Sequence, residues 1–207
     1  MKYHECEASV VVIGVAGNIA SGKSTVARVF EQLGALVIDA DVMVHALLKT
    51  DPMQTKLVET FGSEILAPEG GIDRRALGRI VFENADARQT LNRIVRPAIR
   101  AEIRRRIAEE RAHGHQDVIV VDAALMVETG PTDLADVIIL VTAPPAIRKK
   151  RIIHRNQLSE EEAEQRIAAQ TPDTQQAQWA DHLLENTGTQ AALSRQAENL
   201  WNQIVRD

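Results

Sequence analysis

The loop at residues 17–25 combines residue types and a spacing that suit phosphate binding. Its sequence fits the pattern G-x-x-x-x-G-K-[ST] at every fixed position. The glycines let backbone N–H groups turn inward around an anion, and a following helix adds the positive end of its dipole. In this pattern Lys23 reaches the β- and γ-phosphates of a nucleotide, and the Ser24 hydroxyl binds Mg²⁺. The predicted nucleotide-binding residues of the loop are Gly17, Asn18, Ile19, Ala20, Ser21, Gly22, Lys23, Ser24 and Thr25.

The segments on either side of the loop predict the strand and the helix that must position it. Residues 10–15 are apolar and mostly β-branched, which is typical of a buried parallel strand. After the loop, apolar residues recur at i, i+3, i+4 and i+7, as on one face of a helix, and Gly34 supplies a stop. These apolar residues are Val26, Val29, Phe30 and Leu33. The alternative, an ordinary Gly/Ser loop with an exposed lysine, does not explain these flanks.

Two aspartates follow the next apolar run of the chain. Residues 35–38 predict a second buried strand, and Asp39 and Asp41 come directly after it. Open α/β sheets bind ligands at the carboxyl ends of their strands, so both carboxylates are placed for chemistry. The alternative is that one of them only caps a helix beginning at Val42. One aspartate can cap while the other acts, and we favour a functional role for Asp41.

A third aspartate closes a later apolar run. Residues 118–121 and Asp122 suit a Walker-B-type strand, whose carboxylate reaches the Mg²⁺ shell, usually through water. Buried strands often end in aspartate, so this pattern gains its weight from the phosphate loop. Residues 137–141 predict a fourth buried strand, and residues 182–186 predict a short fifth one.

A basic segment after the fourth predicted strand suits a lid over phosphate groups. On a helix, Arg148, Arg151 and Arg155 share one face. Ser159 and Glu162 have the spacing of a capping box and predict the start of a second helix. A helix pair with inward arginines can neutralise a transferring phosphoryl group and shield it from water. The spacing fits equally well an amphipathic surface hairpin whose basic arm faces neighbouring glutamates.

Length and composition limit the classes to which the chain can belong. Its 207 residues suit one main domain with insertions, and its net charge of −5 argues against an obligate nucleic-acid binder. Cys6 is the only cysteine, which excludes an intrachain disulfide. No apolar run approaches the ~18 residues of a membrane span, and residues 1–9 lack the layout of a signal peptide. We therefore expect a cytoplasmic protein without membrane or nucleic-acid partners.

Together these motifs resemble the dephospho-CoA kinase family over nearly the whole chain. The phosphate loop alone belongs to a large superfamily. The Asp-Ala-Asp sequence after the second strand, the arginines of the basic segment and an Asn-x-Gly sequence near the end are more specific. The resemblance rests on the phosphate loop, residues 37–41, 73–77 and 81–82, Asp122 with Leu125 and Glu128, Arg151, Arg155, and residues 159–170 and 181–188.

The resemblance implies a P-loop kinase fold of the α/β class. Three layers, α/β/α, would surround a five-stranded parallel sheet in the order 2-3-1-4-5. A nucleotide-binding core would comprise residues 8–44, 114–145 and 180–207. A helical insertion at 45–113 would bind the CoA-type substrate, which agrees with a helical pattern too long for a simple strand–helix–strand connection. A small helical lid at 146–179 would close over both.

The same resemblance implies an enzyme, a kinase that transfers the γ-phosphoryl group of ATP to the ribose 3′-hydroxyl of dephospho-CoA. This is the last step of coenzyme A synthesis. The implied catalytic residues are Asp41 as general base, Lys23 on the phosphates, and Arg151 as a charge-balancing group. Arg155 would balance the same charge, and the resemblance places it among the residues that bind the nucleotide. The small-molecule partner would be dephospho-CoA, and the protein is expected to be a monomer.

The resemblance also implies how nucleotide and metal are held. ATP is the expected phosphoryl donor, with Asn186 and Gly188 near its adenine. The expected metal is Mg²⁺, bound by Ser24, with Asp39 and Asp122 as candidates for its outer shell.

The chain departs from the family pattern at four positions. Asn18 and Ala20 stand where the family usually has glycine. Ala20 adds only a methyl group, which the loop accommodates if the backbone φ angle there is negative. Ala124 replaces a usual proline after Asp122, and Arg96 replaces the histidine of a usual His-Pro pair. These last two departures fall on the expected substrate side.

Three other functions remain open from the sequence. The first is another P-loop nucleotide or small-metabolite kinase with a different acceptor. The second is a GTPase-type switch, although the chain lacks the guanine-reading Asn-Lys-x-Asp and the Asp-x-x-Gly switch sequence. The third is a helical nucleic-acid-binding protein, although the net negative charge of the chain argues against it.

Overall fold

The computed structural model describes residues 10–114, 116–123 and 133–206. Four residues named above lie outside these ranges, so their predicted roles stay predictions. They are Cys6, Ala124, Leu125 and Glu128.

The described residues contain five strands and nine α-helices. The strands are β1 (Val11–Ala16), β2 (Leu36–Asp39), β3 (Val118–Asp122), β4 (Val137–Thr142) and β5 (His182–Glu185). The helices are α1 (Lys23–Gln32), α2 (Ala40–Leu47), α3 (Asp51–Phe61), α4 (Arg74–Glu83), α5 (Ala85–His113), α6 (Pro145–Asn156), α7 (Glu160–Ala168), α8 (Asp173–Gln176) and α9 (Gln190–Arg206).

The strands form one sheet in the order β2-β3-β1-β4-β5, which confirms the predicted fold class and strand order. The pairs β1–β3, β1–β4 and β4–β5 are parallel. β1, β3 and β4 are almost entirely buried, as continuous apolar β-branched runs require when helices cover both faces of a sheet. The parallel arrangement brings the ends of these strands, and the loops that follow them, to one edge of the sheet.

α1 and α9 pack over the sheet and close its core. The apolar face predicted for α1 is the buried one, with Val26 and Phe30 fully enclosed. The ring of Phe30 lies 5.3 Å, centroid to centroid, from that of Trp201 on α9. Leu33, the last residue of the predicted stripe, is instead 42% exposed, because α1 ends at Gln32. Aliphatic residues fill most of this core, as the 3% aromatic content predicts.

The chain divides into two compact units. One contains the residues up to Ile38 and those from Ile107 onward, and the other spans Asp39–Arg106. The second unit holds α2 to α4 and most of α5, so the helical character predicted for this stretch is confirmed. α5 is one helix of 29 residues that continues through Pro97. None of the described helices combines the length and the apolar character that a membrane crossing needs.

Local signals in the sequence account for several helix ends. The Asp73 carboxylate accepts hydrogen bonds from the N–H groups of Arg75 and Ala76 and so begins α4. These two bonds hold the pKa of Asp73 below its ordinary value. Ser159 and Glu162 form the predicted capping box of α7.

The acidic and basic side chains of α5 form pairs along its surface. Glu102 accepts hydrogen bonds from Arg105 at 2.7 Å and from Arg106 at 3.1 Å. These bonds, first that from Arg105, lower the pKa of Glu102 to about 2. Glu102 thus neutralises part of the arginine-rich surface of α5.

Candidate active site

The loop between β1 and α1 depends on glycine at two positions. Gly17 and Gly22 have φ angles of 141° and 114°, a backbone region that side chains rarely adopt. A Cβ atom at Gly17 would collide with the carbonyl oxygen of Val141, and one at Gly22 would collide with the Asn186 side chain. Two of the fixed positions of the motif are therefore required by the geometry of the loop.

Lys23 and Ser24 are the first two residues of α1, at the positive end of the helix dipole. Gly22 provides no side chain to cap this end, and the first turn of the helix carries no acidic residue. The Ser24 side chain is exposed, and Lys23 is half-buried. A helix N-terminus, a lysine and a hydroxyl meet here in the combination that nucleotide phosphates require.

Arg151 and Asn186 hold the far end of the loop by its carbonyl groups. Arg151 donates to the carbonyl oxygen of Ala20 at 3.1 Å and to the side-chain oxygen of Asn186 at 3.0 Å. The buried Asn186 donates in turn to the carbonyl oxygen of Ser21 at 2.7 Å. The N–H and C=O of a trans peptide point in opposite directions, so this bond turns the N–H of Gly22 away from Asn186. The brace thus orients a backbone amide of the loop.

The C-terminal half of α6 lines a basic cavity. Its volume is about 540 Å³, and it lies beside Ala20. The remaining residues that line it are Lys150, Arg151, His154 and Arg155. Arg155 is exposed, and its Nε donates to the side chain of Asn156 at 3.2 Å. A cavity with this lining suits an anionic group next to the loop.

Unlike Arg151 and Arg155, Lys149 on α6 forms hydrogen bonds with α7. Its ammonium group donates to Glu164 at 3.0 Å and to Glu160 at 3.2 Å, both on α7. These carboxylates, first that of Glu164, raise the pKa of Lys149. The alternative in which the basic arm faces neighbouring glutamates is thus confirmed for Lys149. Arg151 and Arg155 instead face the loop and the cavity.

Asp39, and not Asp41, caps α2. The Asp39 carboxylate accepts hydrogen bonds from the N–H groups of Asp41 at 2.8 Å and Val42 at 3.1 Å. The expected helix start at Val42 is wrong, because the cap places the first helical residue at Ala40. The Asp41 carboxylate lies outside this cap, on the exposed first turn of α2.

Asp122 lies at the sheet edge that carries the phosphate loop. It is the half-buried last residue of β3, and it pairs in register with Val15, two residues before Gly17. The described residues contain no cluster of three or more His, Cys, Asp or Glu side chains arranged to hold a metal ion.

The condition under which Ala20 would be accommodated without cost, a negative φ, is not met. The φ of Ala20 is 60°, in the left-handed region that disfavours a Cβ atom. The carbonyl group of Ala20 accepts the hydrogen bond from Arg151, which helps to hold this conformation. The glycine that the family pattern usually places here carries no such cost.

Sequence reasoning missed the partners of Asn18 and Ile19 and the position of Arg148. The side chain of Asn18 and the N–H of Ile19 bond to residues 170–176. Arg148 is buried, with its Nη1 atom 4.0 Å from the Asp173 carboxylate. Asn18 in place of a usual glycine was the available signal, since a buried amide needs hydrogen-bond partners.

Comparison with known proteins identifies the family. A sequence model of the family described as dephospho-CoA kinase matches residues 11–192. The chain belongs to the dephospho-CoA kinase family. The match spans both compact units, so family membership rests on more than the shared phosphate loop.

Individual relatives agree with this assignment. A dephospho-CoA kinase of Geobacter metallireducens is 44% identical over 95% of this chain and 98% of the relative. One from Bacillus thuringiensis is 40% identical over 94% of this chain and 98% of the relative. A dephospho-CoA kinase structure from Campylobacter jejuni aligns with a TM-score of 0.60 at 28% identity, covering 93% of this chain and 96% of that chain.

Two further solved structures share the fold. The crystal structure of TT1252 from Thermus thermophilus has a TM-score of 0.75 at 30% identity and covers 94% of this chain and 98% of that one. A shikimate kinase from Acinetobacter baumannii aligns with a TM-score of 0.51 at 14% identity, covering 95% and 94% of the two chains. The second likeness shows that the fold is shared with another kinase.

Replacing Ala20 with glycine is expected to raise the free energy of unfolding by about 1 kcal/mol, because glycine adopts the left-handed φ at little cost. For a chain of this size the unfolding midpoint should rise by about 2–4 °C. Thermal and urea unfolding measure the change. The control, Ala108→Gly at an exposed position inside α5, should lower stability by up to about 1 kcal/mol. Equal destabilisation by both substitutions would contradict the φ at Ala20.

Proposed function

We propose that the protein transfers the γ-phosphoryl group of ATP to the ribose 3′-hydroxyl of dephospho-CoA, releasing ADP and coenzyme A. The observation that carries the proposal is a phosphate loop whose glycines have no room for a side chain, in a chain of the dephospho-CoA kinase family. The loop supplies the site for the donor, and the family supplies the acceptor.

The loop and the basic cavity together suit the phosphates of ATP. Lys23 and the loop amides bind the β- and γ-phosphates, and Ser24 supplies a hard oxygen ligand for Mg²⁺. Asp39 and Asp122 are the candidates for the outer shell of that ion. Mg²⁺, when bound, neutralises part of the phosphate charge.

The adenine of ATP is proposed to lie beside the end of β5, near Asn186 and Gly188. A cavity of about 310 Å³ supports this placement, since Glu185 and Thr187 line it on either side of Asn186 in the chain. Pro144 and Leu183 add apolar surface to the same cavity. The Asn186 side chain bonds to Ser21 and Arg151, so its proposed role toward adenine is to fix the position of this backbone.

Asp41 is proposed as the general base. The 3′-hydroxyl oxygen bonds to the γ-phosphorus while the bond from that phosphorus to the ADP oxygen breaks, and the hydroxyl proton passes to the Asp41 carboxylate. The cap on α2 supports this role, since Asp39 performs the structural task at this helix end. Because the transition state is loose, most of the gain comes from positioning the hydroxyl.

Arg151 and Arg155 are proposed to balance the charge on the transferring group. Both line the basic cavity next to the loop. Arg151 also braces the loop, so its loss should affect nucleotide binding and turnover together. We further propose that residues 45–113 bind the CoA-type substrate and that residues 146–179 form the lid.

ADP release from ATP and Mg²⁺ tests the acceptor. Dephospho-CoA should stimulate release strongly, while nucleosides, other nucleotides and shikimate should not. Mass spectrometry of the product should show one added phosphate on dephospho-CoA. Stimulation by a different acceptor would retain the kinase chemistry and reject the proposed substrate.

Asp41→Asn is expected to lower kcat by a factor on the order of 10² or more, because asparagine cannot accept the proton. Binding of ATP should persist, since Asp39 still caps α2. Steady-state ADP release with dephospho-CoA measures the effect. Asp51→Asn, the same substitution at an exposed residue on the first turn of α3, is the control and should leave kcat unchanged. Near-normal turnover by Asp41→Asn would rule out Asp41 as the base.

A further inference from the structure

A buried side chain joins the phosphate loop to the segment that follows α7. Asn18, the second residue of the loop, is only 3% exposed. Its amide nitrogen donates to the carbonyl oxygen of Thr171 at 2.9 Å and to the Asp173 carboxylate at 2.6 Å. Its amide oxygen accepts a hydrogen bond from Gln176 at 2.8 Å. Among the described residues, the hydrogen-bond partners of this side chain all lie in residues 171–176, more than 150 positions away in sequence.

Gln176 and Gln170 hold the same part of the loop. Gln176, which is 1% exposed, also donates to the carbonyl oxygen of Thr171 at 2.8 Å, so one amide fixes both Asn18 and the turn before α8. The Gln170 side chain accepts a hydrogen bond from the backbone N–H of Ile19 at 3.1 Å. Two consecutive loop residues are thus attached to one short segment.

The charges in this network are balanced within it. Asp173 receives the bond from Asn18, and the buried guanidinium group of Arg148 lies 4.0 Å from the same carboxylate oxygen. The Nε and Nη1 atoms of Arg148 make no hydrogen bond to any described residue. Asp173 is thus the acidic group that faces this charge, and removing it would leave the buried guanidinium group of Arg148 uncompensated.

The loop is therefore clamped at two places, and both clamps belong to the region of α6 and α7. Arg151 on α6 holds the carbonyl group of Ala20. The segment 170–176, which follows α7, holds Asn18 and Ile19. The two clamps act on three consecutive residues, Asn18, Ile19 and Ala20, which shortly precede Gly22 and Lys23 in the loop. Release of the second clamp leaves Asn18 without its buried partners and frees the first half of the loop.

We propose that Asn18 and Gln176 are positioning residues for the nucleotide. Their hydrogen bond docks residues 170–176 against the phosphate loop and keeps the loop in the conformation that binds the phosphates of ATP. Nucleotide affinity then depends on a contact that no phosphate group touches. This inference rests on the proposed function in taking ATP as the nucleotide and, for its turnover assay, dephospho-CoA as the acceptor.

Equilibrium binding of ATP with Mg²⁺, measured by calorimetry without any acceptor, tests the inference. Gln176→Ala removes the donor to Asn18 and should weaken ATP binding by about tenfold or more. Gln175→Ala, at the exposed neighbouring residue of α8, is the matched control and should bind ATP like the wild type. Equal ATP affinity in Gln176→Ala and the wild type would overturn the inference.

A double-mutant cycle separates positioning from a general loss of stability. Asn18→Ala should weaken ATP binding by at least the same factor, since it also removes the bonds to Thr171 and Asp173. The double variant should lose little more than Asn18→Ala alone, because the bond between Asn18 and Gln176 is already absent there. Multiplied losses in the double variant would contradict the inference. In turnover assays the KM for ATP should rise while the KM for dephospho-CoA stays constant.

Two further measurements keep the outcomes distinct. Unfolding measured in the absence of nucleotide shows whether Gln176→Ala is folded. If it is not folded, Gln170→Ala replaces it in the binding experiment. Gln170→Ala should also weaken ATP binding, because it releases the N–H of Ile19. A wild-type protein that binds no ATP would overturn both this inference and the proposed function. A wild type that binds ATP and variants that bind it equally well would overturn only the inference.

Discussion

The lack of space around Gly17 and Gly22 is the constraint on which the rest of the site depends. Both residues have positive φ angles, and a Cβ atom at either would enter a neighbouring group. At Gly17 that group is the backbone of β4, and at Gly22 it is the side chain of Asn186 after β5. A side chain at either position would therefore require β4 or the segment after β5 to move away from the loop.

The sheet, α1 and a side chain of α6 each help to position the phosphate loop. The parallel order puts β1 between β3 and β4, which brings the acidic end of β3 and the polar end of β5 to the edge that carries the loop. α1 is fixed by its buried face against α9, so the position of its N-terminus is set by the core. Arg151 then adds a brace to the loop from α6. The conformation of the loop and the position of the α1 N-terminus are thus set by packing and hydrogen-bond contacts within the protein.

Much of the fold could be predicted from the sequence, because its signals are local. Residues 17–25 carry a motif in fixed spacing, and the strands around them are short apolar runs whose burial follows from their composition. The strand order came from family resemblance and is confirmed. The partners of Asn18, the burial of Arg148 and the φ of Ala20 could not be predicted, since each depends on contacts between residues distant in sequence. The sequence likewise could not decide whether Asp39 or Asp41 caps α2, because aspartate is a favoured N-cap residue at either position.

The most direct test of the account is the contribution of Lys23 to ATP binding, since the central claim is that the loop before α1 holds the nucleotide phosphates. Calorimetry of ATP with Mg²⁺ compares the wild type with Lys23→Ala, and Lys56→Ala, at an exposed lysine of α3, serves as the control. The account predicts a single binding site whose affinity falls by at least about tenfold in Lys23→Ala and is unchanged in Lys56→Ala. Equal affinity in all three proteins, each folded, would contradict it.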